Sequence, residues 1–200
     1  MAVGRWQKLK ALVLAIFLLH KCTAETGWPT TNDGRPTTKK ERTITRADLP
    51  GFLIIGIEAR TTNANEGTPD AAIPRQWQKF FQEGILSKIP GKIGANIYAL
   101  YSDYASDRND EYGYVIGAMV EEGTVAPAGL VGKRVQGGQY AVFTSDQGPL
   151  PKVVPRAWQK LSELEDQGKI KRAYKTDFEI YDQRAKDPQN AQVDIYIGLK

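Results

Sequence analysis

The stretch IPRQWQKFF, starting at Ile73, returns as VPRAWQKLS, starting at Val154, with Pro, Arg, Trp, Gln and Lys at the same five places. Other landmarks keep the offset: Trp77 and Trp158 are 81 residues apart, as are Gly117 and Gly198, and Tyr101 and Tyr181 are 80 apart. A near-constant spacing that runs through helix-like and strand-like stretches alike is the mark of an internal duplication.

Each copy reads β-α-β-β. In the first, GFLIIGIEAR (51–60) is rich in β-branched and apolar residues and predicts a strand. Pro74 suits the first turn of a helix, Trp77, Phe80 and Phe81 make one apolar stripe, and Gly84 is a terminator. NIYALYSDY and YGYVIGAMV follow as strands around a polar turn. In the second, GQYAVFTS (138–145) is a strand and DQGPLPK a loop. Pro155 opens a helix with Trp158, Leu161 and Leu164 inward, and DFEIYDQRA and AQVDIYIGLK are strands. GLVGKRVQGG is read as the turn between copies. The predicted fold class is α+β: tandem β-α-β-β units, about 44–130 and 131–200, forming one antiparallel sheet with two helices on one face and a cleft between them.

Residues 1–24 read as an export signal. Arg5, Lys8 and Lys10 are followed by the apolar run Ala11–Leu19 and by small residues at Cys22-Thr23-Ala24. The run is too short for a membrane span, which takes about 20 residues, so no transmembrane helix is expected in the mature chain. The expectation is a periplasmic or secreted protein. Lipid anchoring through Cys22 fits less well, because Lys21 stands where that signal has a small residue. Residues 25–43 are rich in Thr, Pro and charge and predict a flexible linker, with the fold beginning at about Ile44.

The export reading changes what composition allows. Four of the 27 Lys and Arg lie in residues 1–24, leaving 23 bases against 23 acids, so charge gives no reason to invoke nucleic acid. His20 and Cys22, the chain's one His and one Cys, go with the same segment. The remainder has no disulfide, no Cys/His metal site and no Ser-His-Asp or Cys-His machinery, and no cofactor is indicated. Asp103, Asp107, Asp110 and Glu111 do not match the ordered calcium-loop pattern and read as a solvated turn.

The duplicated unit, the Pro-x-x-Trp helix start, IYALYSDYASDRNDEYGYVIGAMV (97–120) and the closing VDIYIGLK resemble the gyrase-inhibitor-like (GyrI-like) small-molecule-binding fold. Within it, the look is that of the integron-associated effector-binding proteins, relatives of the effector domains of AraC-type and MerR-type regulators. The resemblance implies a cleft for amphipathic, often cationic, aromatic compounds, with an acidic floor and aromatic walls.

Alternation along VDIYIGLK puts Val193, Ile195 and Ile197 on one face and Asp194, Tyr196 and Gly198 on the other. The resemblance implies an acid near this place on the last strand, which makes Asp194 the candidate floor. Trp77 and Trp158, as the matched pair, are candidate walls by cation–π attraction, and equally suit core packing. Tyr101, Tyr112, Tyr114 and Tyr196 complete the candidate ligand-binding set. Two functions follow: an exported, non-enzymatic protein that captures an amphipathic cation, or a hydrolase of electrophilic small molecules using Asp194 or another cleft carboxylate as general base. A protein-binding domain whose own side chains fill the cleft is a third. Oligomeric state is left open.

Overall fold

A computed structural model describes residues 44–200. The expected export signal and linker, with Cys22, lie outside the described residues. The elements run β1 (Thr45–Leu49), β2 (Phe52–Thr61), α1 (Asn63–Glu66), α2 (Ala72–Gln82), α3 (Ile85–Lys88), β3 (Ile97–Ser102), β4 (Tyr112–Val120), β5 (Val131–Val135), β6 (Gly138–Thr144), α4 (Leu150–Asp166), β7 (Arg172–Tyr181) and β8 (Asp194–Leu199).

The eight strands form one sheet in the order β1-β6-β8-β7-β3-β4-β2-β5, antiparallel at every step. Strands β2, β4 and β3 thus run inward from one side in the order that β6, β8 and β7 run inward from the other. The two sets meet at the β3–β7 seam, where Tyr101 lies opposite Asp177 and Ala99 opposite Glu179.

Residues opposite each other across a ladder share a face. Tyr114, Tyr101, Asp177 and Ile197 therefore stand on one face, together with Ala99, Glu179 and Ile195. Both long helices pack there. Trp77 and Phe80 of α2 join Ile55, Ile57, Tyr114 and Ile116, while Ala157 and Leu161 of α4 join Ala141, Phe143, Ile195 and Ile197. The reverse face buries its own apolar layer around Ile54, Leu100, Val115 and Phe178.

Three expectations are corrected. The second long helix starts at Leu150, so Pro155 lies inside it and LPK is helical rather than loop. Pro149 and Pro151 bring preset φ values to the cap and first turn, which favours the early start. The first long helix starts at Ala72, which leaves Pro74 in its first turn as expected. GLVGKRVQGG contains strand β5, paired with β2 from Phe52↔Val135 to Gly56↔Val131. Gln183–Ala185 is a short 3-10 turn after β7, with Asp182 accepting from the Arg184 N–H, not a continuation of the strand. Among the described residues, two short helices, α1 and α3, also flank α2.

Candidate functional site

Glu179 lies at the centre of the helix-bearing face. Strand alternation carries it inward between Phe178 and Ile180, and it is 1% exposed. Three donors from three elements converge on it: Tyr101 Oη from β3 at 2.9 Å, Trp158 Nε1 from α4 at 2.5 Å and Tyr181 Oη from its own strand at 2.6 Å. Burial raises the Glu179 carboxyl above its ordinary value, and the three hydrogen bonds work against that rise. It has no ion-pair partner among the described residues.

Rings pack around this carboxylate. Trp77 meets Tyr181 edge to face at 4.8 Å, Tyr101 meets Trp158 at 4.9 Å, and Tyr114 meets Tyr101 at 5.0 Å. Tyr112 lies one ring further out, 5.7 Å from Tyr101, and its hydroxyl donates to Asn63 Oδ1 at 3.0 Å. Burial first, and the neighbouring Glu179 charge second, push the Tyr101 and Tyr114 hydroxyls well above the ordinary phenol value. Tyr101 acts here as a proton donor to Glu179, and neither group is a phenolate. Trp77, Trp158, Tyr101, Tyr112 and Tyr114 are thus brought to one place.

Asp194 and Tyr196 are not. Asp194 lies opposite Ile180 and Tyr196 opposite Phe178, on the reverse face of the sheet. Tyr196 stacks on Phe178 at 4.6 Å with the rings 7° from parallel. Asp194 accepts from Arg184 Nη2 at 2.5 Å and from Thr144 Oγ1 at 2.7 Å. The buried acid on the helix-bearing face is Glu179, whereas Asp194 lies on the other face of the sheet. The signal for Glu179 was present in DFEIYD, where an acid alternates inward with Asp177 between apolar residues that take the other face.

Asp177, two residues along β7, is a second acid on the same face and is 0% exposed. Unlike Glu179 it is paired: Arg172 Nη2 donates to its Oδ2 at 2.6 Å, Tyr104 Oη to the same oxygen at 2.8 Å, and the Gly198 N–H to Oδ1 at 2.8 Å. A separate surface hollow of about 440 Å³, with Arg46, Lys169, Lys171 and Lys200 around Ile170 and Leu199, has no acidic or aromatic side chain in its wall. It does not reach either carboxylate. Among the described residues, no helix is long and apolar enough to cross a membrane.

The arrangement can hold one cation against a buried carboxylate with aromatic rings on its sides. Comparison with known proteins places the chain in a family. The family model described as integron-associated effector binding protein matches residues 47–199. The chain is 33% identical over 158 residues to YobU of Bacillus subtilis (strain 168), provisionally named a transcriptional regulator protein, with 78% of this chain and 96% of that one covered. The crystal structure of an integron cassette protein from the mobile metagenome of Vibrio cholerae superposes with a TM-score of 0.62 at 27% identity, covering 78% of this chain and 95% of that one. The structure of SAV2435 bound to tetraphenylphosphonium shares the fold, with a TM-score of 0.59 at 20% identity and coverage of 79% and 94%.

Proposed function

Since this chain belongs to the integron-associated effector-binding protein family, a fold that binds small molecules, we propose that its own ligand is an amphipathic, aromatic cation held against Glu179. The observation that carries this is a carboxylate 1% exposed, ringed by Tyr101, Trp158 and Tyr181, with no cationic side chain paired to it among the described residues. A buried carboxylate without a counter-charge attracts a cation strongly, because little water screens it. The rings add cation–π attraction of about 0.5 to 2 kcal/mol each.

The arrangement is closed on itself. Trp158 and Tyr181 occupy Glu179 with their own N–H and O–H, so a cation reaches the carboxylate when these rings turn aside and exchange their hydrogen bonds for the ligand's charge. That the ligand-bound relative SAV2435 holds tetraphenylphosphonium, a lipophilic aromatic cation, supports the chemical class.

Two further parts of this reading concern the whole chain. The basic start and apolar run of residues 1–24 support an exported, periplasmic or secreted protein, which N-terminal sequencing of the mature product tests. The shared order of strands in the two halves, with the spacing of Trp77 from Trp158, supports a duplicated unit.

The test is a calorimetric titration of tetraphenylphosphonium against tetraphenylborate, its anionic near-twin in shape. Binding of the cation with at least about tenfold weaker binding of the anion is expected. Equal affinity for both, or binding of neither, would sink the reading.

A further inference from the structure

Arg172 is an unusual cation in this molecule. It is 4% exposed, yet its guanidinium lies over three rings: 4.5 Å from the centroid of Tyr174, 5.6 Å from Trp158 and 5.9 Å from Tyr104. All three are within the range at which a ring face attracts a cation. Its Nη2 bonds Asp177 Oδ2 at 2.6 Å and Tyr104 Oη at 3.2 Å, and its Nη1 lies 3.7 Å from Glu165 Oε2. Its buried Nε has no hydrogen-bond partner among the described residues. An acid with aromatic walls around a cation is what an aromatic cage for an organic cation is made of.

The backbone is bent to build it. Between Arg172↔Leu199 and Asp177↔Ile197 the β7–β8 register slips, with more residues on β7 than on β8. Tyr174 sits in this bulge at φ +54, a conformation a tyrosine keeps only when its surroundings enforce it. The strain delivers the Tyr174 ring to the guanidinium, and its hydroxyl is fixed on Glu165 Oε1 at 2.7 Å. The cage also borders the Glu179 site: the Trp158 ring that faces Arg172 is the one whose Nε1 donates to Glu179.

We propose that Tyr104, Trp158, Tyr174 and Asp177 form a second cation site beside Glu179, kept filled by the chain's own Arg172, so that the Glu179 site answers one positive charge on a compound and gains no affinity from a second. This rests on the reading of Glu179 as the ligand's counter-charge. Vacating the cage leaves two acids on one face with one wall in common, and a dication can then answer both.

The experiment has two arms. In the first, the melting temperature of Arg172→Ala is followed in millimolar guanidinium chloride, with potassium chloride as control. A rise for the variant alone is expected, because the free ion refills the cage. No selective rise overturns the second site, whatever Glu179 does. In the second arm, an alkyl triphenylphosphonium is compared with one carrying a guanidinium on its alkyl arm. The arm is expected to leave affinity unchanged in the wild type and in Arg172→Lys, and to raise it about tenfold in Arg172→Ala. Arg172→Gln serves for both arms if the alanine variant does not fold. An unchanged affinity in the vacated variant overturns the valence rule. Failure of the wild type to bind the simple phosphonium strikes instead at the parent reading.

Discussion

Trp158 and Glu179 are joined by a hydrogen bond of 2.5 Å from indole Nε1 to carboxylate Oε1, so α4 supplies a donor to the acid of β7. With Tyr101 and Tyr181 also donating, the carboxylate is surrounded by groups that favour its ionised form while burial opposes it.

Glu179→Gln removes the charge but keeps the shape. Affinity for tetraphenylphosphonium is expected to fall at least about tenfold, because the loss is that of the ligand's counter-charge. Tryptophan fluorescence of Trp158 gives the titration. An unchanged affinity means that the cation sits elsewhere.

The pH response has a definite sign. Because the folded-state value of Glu179 lies above its ordinary 4.5, the native state holds a proton that the unfolded chain has released, and stability falls as pH rises. The loss begins near 4.5 and is complete once pH has passed the raised value. Relative to Glu179→Gln, the wild-type melting temperature is expected to decline across that window. Affinity for the cation moves the opposite way, weakening as acid protonates the carboxylate. Melting curves and titrations of both proteins from pH 4 to pH 8 test the pair of trends.

Asp194→Asn separates the two faces of the sheet. The Arg184–Asp194 contact is partly exposed, 35% and 18% on the two side chains, so its removal is expected to cost about 1 kcal/mol or less. Binding of tetraphenylphosphonium should be unchanged. A tenfold loss on titration would restore Asp194 to the site.

What sequence could and could not say is clear in these two acids. Alternation separated Asp194, Tyr196 and Gly198 from Val193, Ile195 and Ile197 correctly, because that needs only the two-residue period of a strand. It could not say which set lies beneath the helices. Here both faces bury rings and branched side chains, Phe178 on Tyr196 on one and Ile195 and Ile197 on the other, so polarity gives no contrast. Alternation in DFEIYD marked Glu179, but not its three donors, which come from residues as much as 78 positions away. The helices were legible because their Trp-centred stripes face a single apolar layer. Strands β1 and β5 were not, since Thr45–Leu49 and Val131–Val135 are short edge strands with many polar or exposed positions.

A close backbone approach gives a further prediction. Gly56 and Gly117 face each other across β2 and β4, and a Cβ on Gly117 would stand 2.0 Å from the Ile55 carbonyl oxygen. Gly117→Ala is expected to cost about 3 kcal/mol by forcing the strands apart. At Gly132 a Cβ would meet only Leu53 Cδ1, at 3.7 Å, and Gly132→Ala should be neutral within about 0.5 kcal/mol. Denaturant unfolding of the two variants decides it, and equal stabilities would count against the tight β2–β4 register.

The edges of the sheet tie the halves together by exchange. Strand β1, which opens the first half, pairs with β6 of the second from Thr45↔Val142 to Leu49↔Gly138, while β5, which opens the second, pairs with β2 of the first. Each half has handed one strand to the other, so neither can close its own outer rim. Fragments cut near residue 130 are therefore reciprocal pieces, each carrying the missing margin of its mate. In two intact chains, the same trade made between molecules instead of within one yields an intertwined pair.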